Sequence, residues 1–177
     1  MAESDHAVSI TTLQRRPLAV LRLHKPAAEM IAAVSTLLNL PLPDTSQVAE
    51  RGESRVFRVA PGEWMLVGVA ATNVERQLAE ADADLGLWHC AEMTDAYTVL
   101  TLTGQDARDL LAKGCSLDMH PRALAAGHCA GTLLAQIDLL VHKVTEDRYE
   151  LYCDRSWAGH VVAWLQQTET ERQAPAA

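Results

Sequence analysis

Three groupings of side chains in this sequence have the types to do chemistry. His89-Cys90, His128-Cys129 and Cys115 with His120 carry zinc-type ligands. Zinc needs four ligands converging tetrahedrally, usually delivered as closely spaced pairs. Neighbours on a strand point to opposite faces, so each His-Cys pair offers one ligand rather than two. The spacing therefore argues for buried thiols beside surface or core histidines, and against a metal. Cys115 is also a candidate thiol nucleophile. It follows a helix C-terminus, whose partial negative charge raises a thiol pKa and opposes activation; Lys113 and a folded-back His120 are the groups that could offset this. The third grouping is the loop that contains both, Leu111-Ala-Lys-Gly-Cys-Ser-Leu-Asp-Met-His-Pro-Arg122. Its polar residues lie between a helix and a strand, where packing alone does not dictate them. Lys113, Cys115, Asp118, His120, Pro121 and Arg122 are accordingly the candidate site. Two roles stand open for them: an interface, or hydrogen bonds that lock the loop to itself. Neither GxGxxG nor GxxxxGK[ST] occurs, so no dinucleotide or phosphate loop is expected; GxSxG and HExxH are also missing. The acids of Glu75 to Asp84 read as a solvated helix face.

The elements that must position these residues follow from apolar spacing. Residues 1–16 are polar and expected to be loose. Leu18 to Leu23 has strand character, and Pro26 suits a first helical position. Met30, Ile31, Val34, Leu37 and Leu38 then fall on one helix face, ended by Asn39 and Pro41-Leu-Pro43. Asp44 to Gly52 reads as a polar loop. Arg55 to Ala60 and Trp64 to Val67 flank Pro61-Gly62 as a β-hairpin with a type II turn. Asn73 to Ala83 is helical, with Val74 and Leu78 inward, and Leu87 to Cys90 returns as a strand. Tyr97 to Thr103 alternates as a strand. Thr103-x-x-Asp106 suggests a capping box for a helix with Ala107, Leu110 and Leu111 inward, stopped by Lys113 and Gly114. Thr132 to Val144 is strand material interrupted at Gln136, and Tyr149 to Cys153 alternates. Ser156 is the expected cap of a last helix bearing Trp157, Val161, Trp164 and Leu165 on its core face. From Thr168 the tail is polar and expected to fray.

The order of elements predicts an α+β fold. It comprises two ferredoxin-like split βαβ halves, with mostly antiparallel sheets covered by helices. The halves span residues 17–92 and 93–167, with flexible ends at 1–16 and 168–177. The repeat is architectural, with no residue period matching between the halves. The chain has 177 residues, enough for a sizeable core without staples. Its formal net charge of −8 makes nucleic acid and anionic membrane surfaces poor partners. No apolar run approaches the ~18 to 20 residues of a membrane span. The acidic N-terminus lacks a secretory n-region, and the four cysteines form no CxxC pair. Reduced thiols and a cytoplasmic location are expected.

One resemblance sharpens these expectations. The run Tyr97-Thr-Val-Leu-Thr-Leu-Thr-Gly-Gln-Asp-Ala-Arg-Asp-Leu-Leu-Ala-Lys-Gly-Cys-Ser-Leu-Asp-Met-His-Pro-Arg-Ala resembles the gamma subunit of heterotetrameric sarcosine oxidase. Cys129 to Lys143, the Asp154-Arg-Ser-Trp helix start and Trp64 in Pro-Gly-Glu-Trp-Met-Leu continue the match. The resemblance covers residues 55 to 166 and is densest from 94 to 143. Ser116 and Leu124 depart from it, standing where proline and an aromatic are usual. The resemblance implies a fold like the aminomethyltransferase folate-binding domain and a non-catalytic chain with no cofactor of its own. It implies partners, the alpha, beta and delta subunits, that carry FAD, FMN, NAD and zinc, with tetrahydrofolate as acceptor. The complex it implies demethylates sarcosine oxidatively to glycine, with hydrogen peroxide and formaldehyde or methylene-tetrahydrofolate as co-products. Two alternatives stand beside it. One is a free-standing tetrahydrofolate binder, with Asp95 or Asp118 as the carboxylate meeting the folate amine. The other is the equivalent subunit of an oxidase for another N-methyl amine.

Overall fold

A computed structural model describes residues 8–81 and 85–173. The chain forms two compact units: one is Arg15–Asp95, and the other joins the N-terminal residues through Gln14 to Ala96–Ala177. The first strand, β1 (Ser9–Thr12), belongs to the second of these.

The Arg15–Asp95 unit holds β2 (Leu18–Leu23), α1 (Ala28–Leu38), β3 (Ala49–Arg51), β4 (Ser54–Ala60), β5 (Glu63–Val67), α2 (Ala71–Ala79) and β6 (Trp88–Glu92). Its antiparallel sheet runs β3-β4-β5-β2-β6. Without β3 this is the strand order of a split βαβ fold. Only Arg22 of β2 is exposed, as a central strand requires. Ala19, Leu21 and Leu23 meet Trp64, Leu66, Val34, Val74 and Leu78 in one core.

Several local expectations shift. Pro26 lies two residues before α1, whose N-cap is Ala27; it sits over the hairpin turn, where a Cβ on Gly62 would come 3.4 Å from its Cδ. Asn39 does end α1, in the left-handed conformation at φ 53°, but Leu37 stays exposed. The segment read as a polar loop contains β3, which pairs with β4 through a turn at Gly52 (φ 60°). Three residues, two of them charged, show no apolar alternation to announce a strand. Helix α2 begins at Ala71, whose N–H donates to the Glu92 carboxylate at 3.2 Å. It ends at Ala79 with Glu80 as its C-cap, short of the expected end at Ala83, a position outside the described residues.

The other unit continues with β7 (Tyr97–Thr103), α3 (Ala107–Ala112), β8 (His128–Leu134), β9 (Ile137–Thr145), β10 (Arg148–Asp154) and α4 (Ala158–Gln173). Its sheet runs β1-β7-β10-β9-β8, again antiparallel. The stretch read as one interrupted strand is the β8–β9 hairpin, turning at Ala135 (φ 49°) and Gln136 (φ 68°). Two positive φ angles match the right-handed strand twist but favour Asn-Gly, so the Ala-Gln pair gave no hairpin signal.

The two sheets correspond strand for strand: β6-β2-β5-β4-β3 against β1-β7-β10-β9-β8. In the second unit, however, the position of β6 is taken by β1, and no strand follows α4 among the described residues. The segment expected to be loose is thus paired from Ser9↔Thr103 to Thr12↔Leu100.

The polar tail does not fray at Thr168. Helix α4 continues to Gln173, with Thr168 and Glu169 buried. Glu169 Oε1 accepts from the Val8 N–H ahead of β1 (3.2 Å) and from Gln173 Nε2 (2.7 Å). Arg172 donates to both Glu169 oxygens at 2.8 and 2.9 Å, and to Asp106 at 2.6 Å. Asp106 therefore makes no side-chain cap on α3, contrary to the capping-box expectation, because its carboxylate serves Arg172. Likewise Ser156 does not cap α4 with its hydroxyl, which donates to Asp154 instead.

The Arg172 hydrogen bond, joined by those from Val8 and Gln173, holds the Glu169 carboxyl at about 2, below its ordinary 4.5. A depressed folded-state pKa contributes stability above the unfolded value and loses it as pH falls toward the folded one. Glu169→Gln is expected to destabilise the protein by about 2 kcal/mol at pH 7. In urea unfolding at a series of pH values, the gap to the wild type should stay constant down to about pH 4.5 and close below it. A gap independent of pH would show that the carboxylate charge is not what matters.

Candidate functional site

The candidate loop begins where α3 ends. Lys113 is the C-cap residue in ordinary αR geometry (φ −66°), and Gly114 is not among the residues with positive φ. The expected glycine stop is thus replaced by short-range bonds: Gly114 N–H to Leu111 O at 3.1 Å and Cys115 N–H to Leu111 O at 2.9 Å. Gly114 answers a packing constraint instead. A Cβ there would lie 2.4 Å from Cζ2 and 2.5 Å from Cη2 of Trp164 on α4. Trp164 in turn packs against the core formed by Leu110, Leu111, Val161 and Leu165.

Beyond Gly114 the chain runs beside β8. Ala135 N–H donates to Gly114 O and Ser116 N–H to Leu133 O, both at 3.0 Å, with Cys115 bridged to Leu134. The Cys115 thiol sits 3.5 Å from Thr132 Oγ1. The next residues alternate: Leu117, Met119 and Leu124 pack into the core, while Ser116, Asp118 and His120 face solvent. Asp118 Oδ1 accepts the His120 N–H at 2.9 Å, and His120 Nδ1 accepts the Arg122 N–H at 3.2 Å. The His120 carbonyl accepts from Ala123 at 2.8 Å and Leu124 at 3.1 Å, closing a turn around Pro121. Asp118 and His120 are therefore occupied within their own loop. Lys113 and Arg122 are exposed, and neither has an ion pair among the described residues. His120 makes no hydrogen bond to Cys115, so the site does not form a thiol–imidazole pair. Asp95, the other carboxylate considered for a folate amine, is exposed and ion-paired with Arg15.

One anchoring group was not singled out from sequence. Lys143 on β9 is fully buried, and its Nζ donates to Leu124 O at 3.3 Å and to Glu146 at 2.8 Å. It closes the far end of the loop from beneath. The signal was available: Leu139, Val141 and Lys143 share the core face of β9 by alternation, and a lysine there needs a partner. A second buried polar group lies on the opposite face. Glu150 accepts from the Tyr152 hydroxyl at 2.8 Å and Arg148 Nη2 at 3.3 Å, with His142 Nδ1 at 3.8 Å.

The thiols are free and unactivated where they are buried. Burial, with Glu75 and Glu92 nearby, pushes Cys90 up to about 12, and burial alone takes Cys129 to about 11. Cys153 is raised as well, chiefly by burial. Among the described residues no cluster of three or more His, Cys, Asp or Glu could hold a metal ion. No described helix is long and apolar enough to cross a membrane. Trp64 is core, its Nε1 bonded to Pro43 O at 2.8 Å. Trp157, expected on the core face of α4, is instead 50% exposed and edge-on to His160.

These elements have known counterparts. The model of the sarcosine oxidase, gamma subunit family matches residues 24–171, which reach into both units. The chain belongs to that family. It is 27% identical over 153 residues to the sarcosine oxidase subunit gamma of Arthrobacter sp, covering 85% of this chain and 74% of that one. It is 32% identical to the sarcosine oxidase subunit gamma of Corynebacterium sp. (strain U-96), covering 80% and 69%. Its fold is that of a chain in heterotetrameric sarcosine oxidase from Corynebacterium sp. U-96 in complex with pyrrole 2-carboxylate, with a TM-score of 0.86 at 23% identity, over 98% of this chain and 89% of that one. The fold is also shared with glycine cleavage system aminomethyltransferase T from Bartonella henselae, at a TM-score of 0.63 and 17% identity. There the match takes in 90% of this chain but only 45% of the aminomethyltransferase. The α+β architecture expected from sequence, and its likeness to the aminomethyltransferase fold, are both present.

Two outcomes follow from the loop geometry. Gly114→Ala should destabilise the protein by about 1–3 kcal/mol through overpacking. In a double-mutant cycle with Trp164→Leu most of that loss should be recovered, and additive losses would place the clash elsewhere. Alkylation of the native protein at pH 8, read by mass spectrometry, should label Cys115 first and leave Cys90, Cys129 and Cys153 unmodified until the protein unfolds.

Proposed function

We infer that this chain is the non-catalytic gamma subunit of a heterotetrameric sarcosine oxidase and serves assembly and stability. Family membership across residues 24–171 carries the reading. The chemistry of the chain supports it. Asp118 and His120 are spent on locking their own loop, and burial holds three thiols in the protonated form. In the complex we infer, the alpha, beta and delta subunits hold FAD, FMN, NAD and zinc. Sarcosine loses two electrons and two protons, one from its N-methyl carbon and one from its nitrogen, and water hydrolyses the resulting imine to glycine and formaldehyde. Dioxygen takes up the electrons and protons as hydrogen peroxide. Tetrahydrofolate, where present, captures the one-carbon unit as methylene-tetrahydrofolate.

The likeness to aminomethyltransferase T favours one second reading, a free-standing tetrahydrofolate binder. Co-expression with candidate alpha, beta and delta chains, followed by affinity capture on this chain, separates the two. The subunit reading expects a stoichiometric, flavin-coloured complex that oxidises sarcosine. A colourless monomer that binds tetrahydrofolate would replace it with the second reading.

The loop is tested in the same complex. Asp118→Ala and His120→Ala should each lower stability by about 1 kcal/mol by removing an acceptor for a backbone N–H. Arg122→Ala should leave stability unchanged and weaken capture of the partners. Unchanged assembly in all three variants would remove the loop from the interface.

A further inference from the structure

Strand β2 ends between two turns of the chain. The Leu23 N–H donates to Gly62 O of the β4–β5 turn at 2.8 Å, and the next N–H, of His24, donates to Leu87 O ahead of β6 at 2.9 Å. The turn can come this close because residue 62 has no side chain: a Cβ there would lie 2.6 Å from Leu23 O. Within the Arg15–Asp95 unit these three segments border a cavity of about 330 Å³ that opens to solvent. Small-molecule sites span roughly 300–1,000 Å³, so this one has the size for a single ring or a short branched chain.

Cross-strand pairing puts its polar groups in one row. Arg22 stands opposite Glu63 on one side and His89 on the other, and residues paired across an antiparallel ladder share a face. Two residues on from Arg22, alternation returns His24 to that face. Arg22 donates Nε to Glu63 Oε2 at 2.9 Å and Nη2 to Oε1 at 3.1 Å. Both oxygens of the acid that lines the cavity are thus engaged, and the two charges cancel. The His24 and His89 rings are exposed, and neither has a hydrogen-bond partner among the described residues. Lys25, next in the chain, is exposed and has no ion pair among them either. The uncommitted charge at this end of the sheet is positive, in a chain whose net charge is −8. Beside these groups stand Leu87, at 70% the most exposed large hydrophobic among the described residues, and the half-buried Trp88.

We propose that this cavity binds a small carboxylic acid with an apolar body, its carboxylate accepting from His24 and His89 and its body lying against Leu87 and Trp88. The positive bias calls for an anion. A carboxylate suits the cavity better than a phosphate, because the backbone N–H groups of Leu23 and His24 that could form a phosphate nest are already donated, and Glu63 engages Arg22. Each imidazole supplies one N–H, and two N–H groups match the two oxygens of a carboxylate. The body is apolar because a bare anion would leave Leu87 and Trp88 in water. Such a site is independent of the subunit reading.

Equilibrium dialysis of the full chain against radiolabelled benzoate tests this, with acetate and benzyl alcohol as competitors and His24→Ala, His89→Ala and Leu87→Asp as variants. The wild type should take up about one benzoate per chain. Acetate, which lacks the body, and benzyl alcohol, which lacks the carboxylate, should compete at least about tenfold less well than unlabelled benzoate. Each variant should weaken uptake at least about fivefold, the histidine variants by losing a donor and Leu87→Asp by setting a like charge beside the ligand. All three residues are exposed, so the variants should melt with the wild type. No saturable uptake by the wild type, benzyl alcohol competing as well as benzoate, or uptake unchanged in the three variants overturns the proposal. Uptake by the isolated chain that disappears in the assembled complex would give the cavity to a carboxylate of a partner subunit and overturn it as well. None of these outcomes removes the chain from the complex, and failure of the capture experiment leaves the cavity as it stands.

Discussion

The sheet of the unit that contains the candidate loop is completed by a distant part of the chain. Without a strand beside the outer edge of β7, a row of N–H and C=O groups there would lack partners. Strand β1 fills the place, and Glu169 of α4 holds the entry to it by accepting the Val8 N–H. Arg172 braces Glu169 and reaches Asp106 at the start of α3, so one guanidinium ties the first strand and both helices together. A charge-assisted, bidentate pair of this kind is directional enough to set where each element sits. The first and last parts of the chain become one packed unit because of it.

The same helix governs the candidate loop. Trp164 lies where any residue larger than glycine at 114 would collide with it, so the chain leaves α3 close against α4 and emerges beside β8. From there three apolar side chains enter the core, and Lys143 takes the Leu124 carbonyl at the far end. The loop is held at both ends and pinned between, with Lys113 and Arg122 as its exposed charges.

An aminomethyltransferase fold does not by itself bring aminomethyl transfer, because function resides in sites placed on a fold rather than in the fold. This chain matches less than half of aminomethyltransferase T. Its interior holds the buried Lys143, which meets Leu124 O and Glu146, and three thiols that burial raises above their ordinary pKa.

Much of the architecture was legible in the sequence because it rests on short-range patterns. Strand β7 ran from Tyr97 to Thr103 as alternation required, Val34 and Leu38 or Val74 and Leu78 marked helix faces at a spacing of four, and Asn39 ended α1. The family was legible too, because its motif is a contiguous run. What the sequence could not show depended on distant pairing. Asp106 looked like a cap three residues from Thr103, but a guanidinium 66 positions away took its carboxylate. Residues 9–12 looked loose because a four-residue strand carries no pattern until β7 is beside it. Gly114 looked like a helix stop, whereas a tryptophan 50 positions later excludes a side chain there. Periodicity records which face of an element is apolar; only the tertiary structure decides which distant group meets each polar or missing side chain.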